Sequence, residues 1–161
     1  DSHLYKDKDV VVVGGGNSAL EEALYLSNIC KNVTVINKNE KFRGEKVLID
    51  EINEKNNIKC VYNSSIREYN IENDKLVSVT LADDSVIPAS GLFISIGSVP
   101  STDIFDVEKD HSFIITDSNG MTNVKNVYAC GDVIKKNVYQ LTTAASEGTI
   151  VAYSIMKSIK N

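Results

Sequence analysis

A chain of 161 residues, 42% of them apolar, is long enough for one full domain and part of another. Its net charge of −5 comes from 22 acidic and 17 dispersed basic residues, which argues against a nucleic acid or an anionic membrane surface as partner. No apolar run approaches the ~20 residues needed to cross a bilayer, the N-terminal DSHLYKDKD lacks a signal-peptide core, and no metal-ligand spacing appears, so a cytoplasmic, metal-free protein is expected.

Asp1 to Asp9 is polar and without hydrophobic period, and it leads straight into Val10 to Ala23, VVVVGGGNSALEEA. Four β-branched residues, three glycines and a helical spacing predict strand, tight turn, helix. Gly14, Gly16 and Ala19 fit the G-x-G-x-x-G/A pattern: the first glycine makes the turn, the second admits a pyrophosphate against bare backbone, and the small third residue lets helix and strand pack closely. A helix starting near Asn17 aims its unpaired N–H groups and the positive end of its dipole at that phosphate, which brings Asn17 and Ser18 into the candidate set. A purely structural glycine turn is the competing reading.

The helix puts Ala19, Leu20, Ala23, Leu24 and Ser27 on one core-facing stripe, and Val33 to Ile36 is the next strand. The end of that strand faces the adenosine ribose, where an acid selects NAD and cations select NADP. Here stand Asn37, Lys38, Asn39, Lys41 and Arg43, with Glu40 among them. Lys38 and Arg43 therefore favour NADPH.

Helical spacing returns from Arg43 to Asn56, and Ile58 to Tyr62 reads as another strand. From Ser65 onward, IREYNI, KLVSVTL and VIPAS separated by polar turns predict a small antiparallel flap. Gly91 to Gly97 is a glycine-bounded apolar strand of a covered sheet. Phe113 to Ile115, Val124 and Val127 to Ala129 suggest short strands before Cys130-Gly131-Asp132. A last helix carries Leu141, Ala144, Ala145, Gly148, Ala152, Ile155, Met156 and Ile159 at spacings of three and four. The segment from about Asp110 is too small to close a core alone. Cys30, Cys60 and Cys130 form no C-x-x-C pair and read as buried free thiols, and His3 and His111 as surface residues.

Taken together, VVVVGGGNSALEEA, LFISIGSVPST and NVYACGDV with QLTTAASEG resemble, in order, the pyridine-nucleotide glycine motif, the G-x-x-P return strand at Gly97 and the C-terminal flavin segment of the low-molecular-weight thioredoxin reductases. The resemblance implies an α/β fold: a Rossmann-like nucleotide-binding domain with a parallel sheet, helices and an antiparallel β flap over residues 1–107, then the C-terminal segment of a split FAD-binding domain over 108–161. It implies FAD and NADPH as cofactors, with hydride passing from NADPH to FAD and electrons on to thioredoxin or a similar disulfide protein. Asp132, after Gly131, would bond the FAD ribityl chain, and the helix near Gln140 and Leu141 would point at the flavin ring. Asp1 would match the acid that follows the redox C-x-x-C. The resemblance also implies a homodimer for the complete enzyme. Where the family has His-Arg-Arg and a further Arg, this chain has Asn37, Lys38, Asn39 and Arg43, and Tyr139 replaces an Arg. These departures resemble relatives that use reduced ferredoxin instead of a pyridine nucleotide. A non-catalytic nucleotide-binding or docking module is the third alternative.

Overall fold

The computed structural model describes residues 2–159. The chain divides into two compact units, Asp1–Gly97 and Ser98–Asn161. In the first, the order is β1 (Asp9–Val13), α1 (Asn17–Ser27), β2 (Asn32–Ile36), α2 (Lys46–Glu54), β3 (Ile58–Val61), β4 (Ile66–Glu72), β5 (Lys75–Leu81), β6 (Val86–Pro88) and β7 (Gly91–Ile94). A parallel sheet runs β3-β2-β1-β7, with Val10 to Val13 in register with Val33 to Ile36 on one side and Gly91 to Ile94 on the other. The antiparallel strands β4-β5-β6 form a separate sheet, the flap.

The valine run works because both faces of β1 are covered. Side chains alternate along a strand, so Val10 and Val12 pack with Val33, Val35, Ala19, Leu20, Ala23 and Leu26 on the helical side. Val11 and Ile36 pack with Val79, Leu81 and Ala89 of the flap on the other. Helices, parallel sheet and flap thus make three layers, as the change of sequence period predicts. The β4–β5 hairpin turns through Asn73 and Asp74, φ 48° and 60°, the left-handed pair that a two-residue turn needs to match strand twist.

Helix α2 starts at Lys46 rather than Arg43. Phe42 is buried beside Tyr62, their ring centroids 5.0 Å apart, and the Arg43 and Gly44 N–H groups donate to the Gly15 carbonyl at 2.7 and 3.2 Å. These bonds tie the backbone at Arg43 and Gly44 to the glycine turn, and the helix begins after them. Strand β7 stops at Ile94, and the chain turns at Gly97, φ 89°.

The second unit contains β8 (Lys109–Asp110), β9 (Phe113–Ile114), a 3-10 turn at Gly131–Val133 and α3 (Leu141–Ile159). It begins ten residues before the boundary that the sequence suggests: Thr102 is buried and its hydroxyl donates to the Ser112 carbonyl, which ties residues 98–107 to this unit. The strands expected at Val124 and Val127 to Ala129 reduce to a single bridge between Met121 and Tyr128. The stripe expected to face a core on α3 does not do so here: none of its described residues is buried, and Leu141 is 86% exposed. Cys30 is buried, whereas Cys60 and Cys130 are only half-buried. Among the described residues no helix is long and apolar enough to cross a membrane.

Candidate functional site

In the first unit the carboxyl ends of β1, β2 and β7 surround a cavity of about 600 Å³. Its wall includes Gly14 to Ser18, Asn37 to Asn39, Arg43 and Ser95 to Gly97. Ligands of open α/β sheets bind in this position, outside the carboxyl ends of the strands.

The three glycines have three different reasons. Gly14 has φ 150°, and a Cβ there would run into the Ser95 carbonyl and stand 2.8 Å from the Ala19 Cβ, so the turn itself requires glycine. At Gly16 a Cβ would meet nothing within 4 Å. That space lies directly at the start of α1, whose N-cap is Gly16 and whose first turn has no side-chain cap hydrogen bond. Asn17 and Ser18 line the cavity there, so unsatisfied N–H groups and the helix dipole act on it together. Gly15 carries a constraint that the motif does not name: a Cβ on it would be 2.5 Å from the Asn37 side-chain oxygen. The only sequence signal is that G-x-G-x-x-A leaves a middle glycine unexplained.

Asn37 departs from its expected role. It is 2% exposed; its amide donates to the Lys41 carbonyl at 2.9 Å and its side-chain oxygen accepts from the Asn39 N–H at 3.4 Å. It is the peg on which the loop after β2 folds back over Gly15. Consequently Lys38 and Arg43, both exposed, stand on the same cavity wall and supply its positive charge. The Asn17 side chain donates to the Glu45 carboxylate at 3.0 Å and accepts from the Glu45 N–H at 2.7 Å, so it joins the starts of α1 and α2. Ala19 is fully buried and acts through packing. Gly97 closes the cavity wall beside Ile96.

In the second unit Asp132 lines a cavity of about 450 Å³ with Ser98, Val99, Pro100, Phe113, Val133 and Tyr139. Gly131, φ 80°, makes the turn before it, and its N–H donates to the Glu147 carboxylate of α3 at 2.9 Å. Gln140 and Leu141 are exposed at the start of α3 and are not part of this cavity wall. The Thr143 hydroxyl caps that start, accepting from the Gln140 N–H at 3.2 Å. Asp1 lies outside the described residues. The half-buried Cys60 and the buried Cys30 thiols are both pushed up by burial, Cys60 against an opposing hydrogen bond from Tyr62, so neither favours a thiolate.

A family profile described as pyridine nucleotide-disulphide oxidoreductase matches residues 2–148. The chain is similar to a 34.2 kDa protein in the rubredoxin operon of Clostridium pasteurianum, 38% identical, with 99% of this chain and 54% of that protein covered. It is 31% identical to the thioredoxin reductase of Listeria monocytogenes, covering 99% of this chain and 53% of the relative. Among solved structures, the T. acidophilum thioredoxin reductase superposes with TM-score 0.85 at 32% identity, over 100% of this chain and 56% of that one. The Lactococcus lactis thioredoxin reductase gives TM-score 0.84 at 28% identity, over 98% and 55%. The chain therefore spans about half the length of the curated relatives it matches.

Proposed function

Because the chain belongs to the pyridine nucleotide-disulphide oxidoreductase family, we propose that it is the nicotinamide-nucleotide-binding unit and the C-terminal flavin-contacting segment of a thioredoxin-disulfide reductase. The reductant in this reading is NADPH and the acceptor a protein disulfide such as that of thioredoxin. The observation that carries it is the open space at Gly16 before an uncapped helix, with Lys38 and Arg43 on the same wall.

The residues present fit a pyridine dinucleotide. The α1 start and Gly16 would hold the pyrophosphate, because backbone N–H groups and the dipole favour anions there and no Cβ obstructs approach. Lys38 and Arg43 would hold a ribose 2′-phosphate. Bound NADPH supplies a hydride. The chain's task is to bind and orient it, with Lys38 and Arg43 as the charged groups of the cavity wall. In the second unit the Asp132 carboxylate, 68% exposed beside Phe113 and Tyr139, fits as an acceptor for flavin hydroxyls. Bound FAD would supply the electron relay toward the partner disulfide, and Asp1 would be the acid that holds or moves the proton of an adjacent redox C-x-x-C thiol.

Two exposed cations contribute roughly 0.5 to 1 kcal/mol each toward an additional phosphate, a preference of about fivefold to thirtyfold over NADH. Calorimetric titration should give weak NADPH binding and weaker NADH binding, with the preference lost in Lys38→Ala/Arg43→Ala. A second reading, reduction by a ferredoxin-type protein, is favoured by the commitment of Asn37 to loop structure, which leaves two cations where the family resemblance implies a fuller set. No heat with either nucleotide would transfer the proposal to that reading.

A further inference from the structure

We propose that Lys136 and Glu147 are positioning residues for Asp132: the ammonium holds one carboxylate oxygen of Asp132 while Glu147 fastens the Gly131 turn to α3. This inference rests on the proposed role of Asp132 as acceptor for flavin hydroxyls.

The Lys136 ammonium lies 2.9 Å from Glu147 Oε2 and 3.3 Å from Asp132 Oδ1. The same Glu147 oxygen accepts the Gly131 N–H at 2.9 Å, so one carboxylate organises both the cation and the turn. Side-chain exposure falls from 68% at Asp132 to 21% at Glu147 and 11% at Lys136, which places the cation behind the carboxylate that lines the cavity. The ammonium also stands 5.5 Å from the centre of the Tyr139 ring, which packs on Phe113 with centroids 5.4 Å apart. Burial alone would pull the Lys136 pKa down, but its bonds to Glu147 and Asp132 outweigh that and hold it above the usual lysine value. It therefore stays charged across the neutral range.

Half-buried ion pairs contribute little net stability, because desolvation offsets the attraction. A triad of this kind beside a cavity is better explained by what it positions. One cation between two carboxylates leaves the cluster with a net negative charge, expressed at the exposed Asp132. Its Oδ2 lies outside the ion pair. Such a wall accepts hydrogen bonds from hydroxyl groups and disfavours phosphate, while Phe113, Tyr139 and Pro100 offer apolar surface. The matching ligand chemistry is a neutral polyol joined to a flat ring system.

The test is FAD affinity by fluorescence titration of the complete enzyme after its flavin has been removed, for Asp132→Asn, Lys136→Met, their double variant and Lys136→Arg, with thermal melting recorded alongside. If Lys136 acts through Asp132, each single variant raises the dissociation constant about tenfold or more, the double variant raises it no further, and Lys136→Arg returns most of the affinity. Glu147→Gln keeps an acceptor for the Gly131 N–H and serves if Lys136→Met does not fold; an effect non-additive with Asp132→Asn is expected there too. Additive losses, or wild-type affinity in Lys136→Met alongside weakened Asp132→Asn, would overturn the positioning role. Unchanged affinity in Asp132→Asn would instead overturn the flavin reading of Asp132 on which it rests.

Discussion

Gly14 and Gly16 sit two residues apart and answer to different physics. At Gly14, Ala would adopt a strained φ and drive its Cβ into Ser95 and Ala19; Gly14→Ala is expected to destabilise by about 3 kcal/mol or more. At Gly16 the added methyl enters open space, so Gly16→Ala should leave stability within about 0.5 kcal/mol while weakening NADPH binding at least about tenfold. Urea denaturation and nucleotide titration of both variants separate the two roles. Asn37 supplies the converse case. An acid at this position is the NAD signature by sequence, yet the buried amide donates to the Lys41 carbonyl. In Asn37→Asp an ionised carboxylate would face that carbonyl, costing about 1 to 3 kcal/mol without producing NAD preference. The protonated acid can donate where the carboxylate cannot, so its folded pKa lies above the unfolded ~3.9. Stability of the variant is thus fullest below pH ~4 and is lost as pH rises through the folded value; urea midpoints at pH 4 and pH 7 check the sign.

At the scale of elements, the β8–β9 hairpin is held by charge as much as by its two strand pairs. Its turn places His111 and Ser112 at φ 48° and 72°, a conformation costly for residues other than glycine. Asp110 compensates: its Oδ2 accepts from the Lys135 ammonium, and its Oδ1 lies 2.6 Å from the His111 Nδ1. The Lys135 bond first, then the His111 bond, hold the Asp110 carboxyl below the usual carboxylate range. A depressed carboxylate stabilises the folded state above its unfolded pKa and ceases to do so as pH falls through the folded one. The protection of the Lys135 amide against hydrogen exchange, relative to its intrinsic rate, should therefore fall below pH ~4; this amide donates to the Ile114 carbonyl at 3.0 Å. Asp110→Asn should show that lower protection already at neutral pH and lose the dependence.

For the whole molecule, the contrast between the two units sets the expectation. The first buries valines on both faces of its parallel sheet, while the second covers few side chains and leaves Leu141, Tyr153, Met156 and Ile159 on α3 exposed at 86%, 61%, 55% and 78%. Among the described residues, the uncapped glycine-turn cradle belongs to the first unit, so the second offers Asp132 and an apolar wall but no comparable pyrophosphate site. The 161-residue chain is accordingly expected not to retain FAD through gel filtration, read by the flavin absorbance band. It should enhance the fluorescence of an apolar dye such as ANS, because the α3 stripe is accessible.

The parallel sheet, its crossover helix, the flap and the glycine turn are legible from local information: β-branched runs, a switch of period from two to 3.6, and glycines where a side chain cannot stand. Those features follow from backbone sterics and amphipathic spacing within a few residues, so sequence alone determines them. Three others depend on which distant segments return to the same place. The peg made by Asn37 exists because the loop from Lys38 to Gly44 folds back on Gly15, which removes the residue from nucleotide reading and delays α2 to Lys46. The triad of Asp132, Lys136 and Glu147 joins a turn to a helix across an irregular loop with no period to announce it. The apolar stripe of α3 is visible in the sequence, but spacing records only that it is suited to burial. Whether it is buried is decided by what packs on it, and in the described structure its own unit leaves Ala144, Gly148 and Ile155 half-buried and the rest of the stripe exposed.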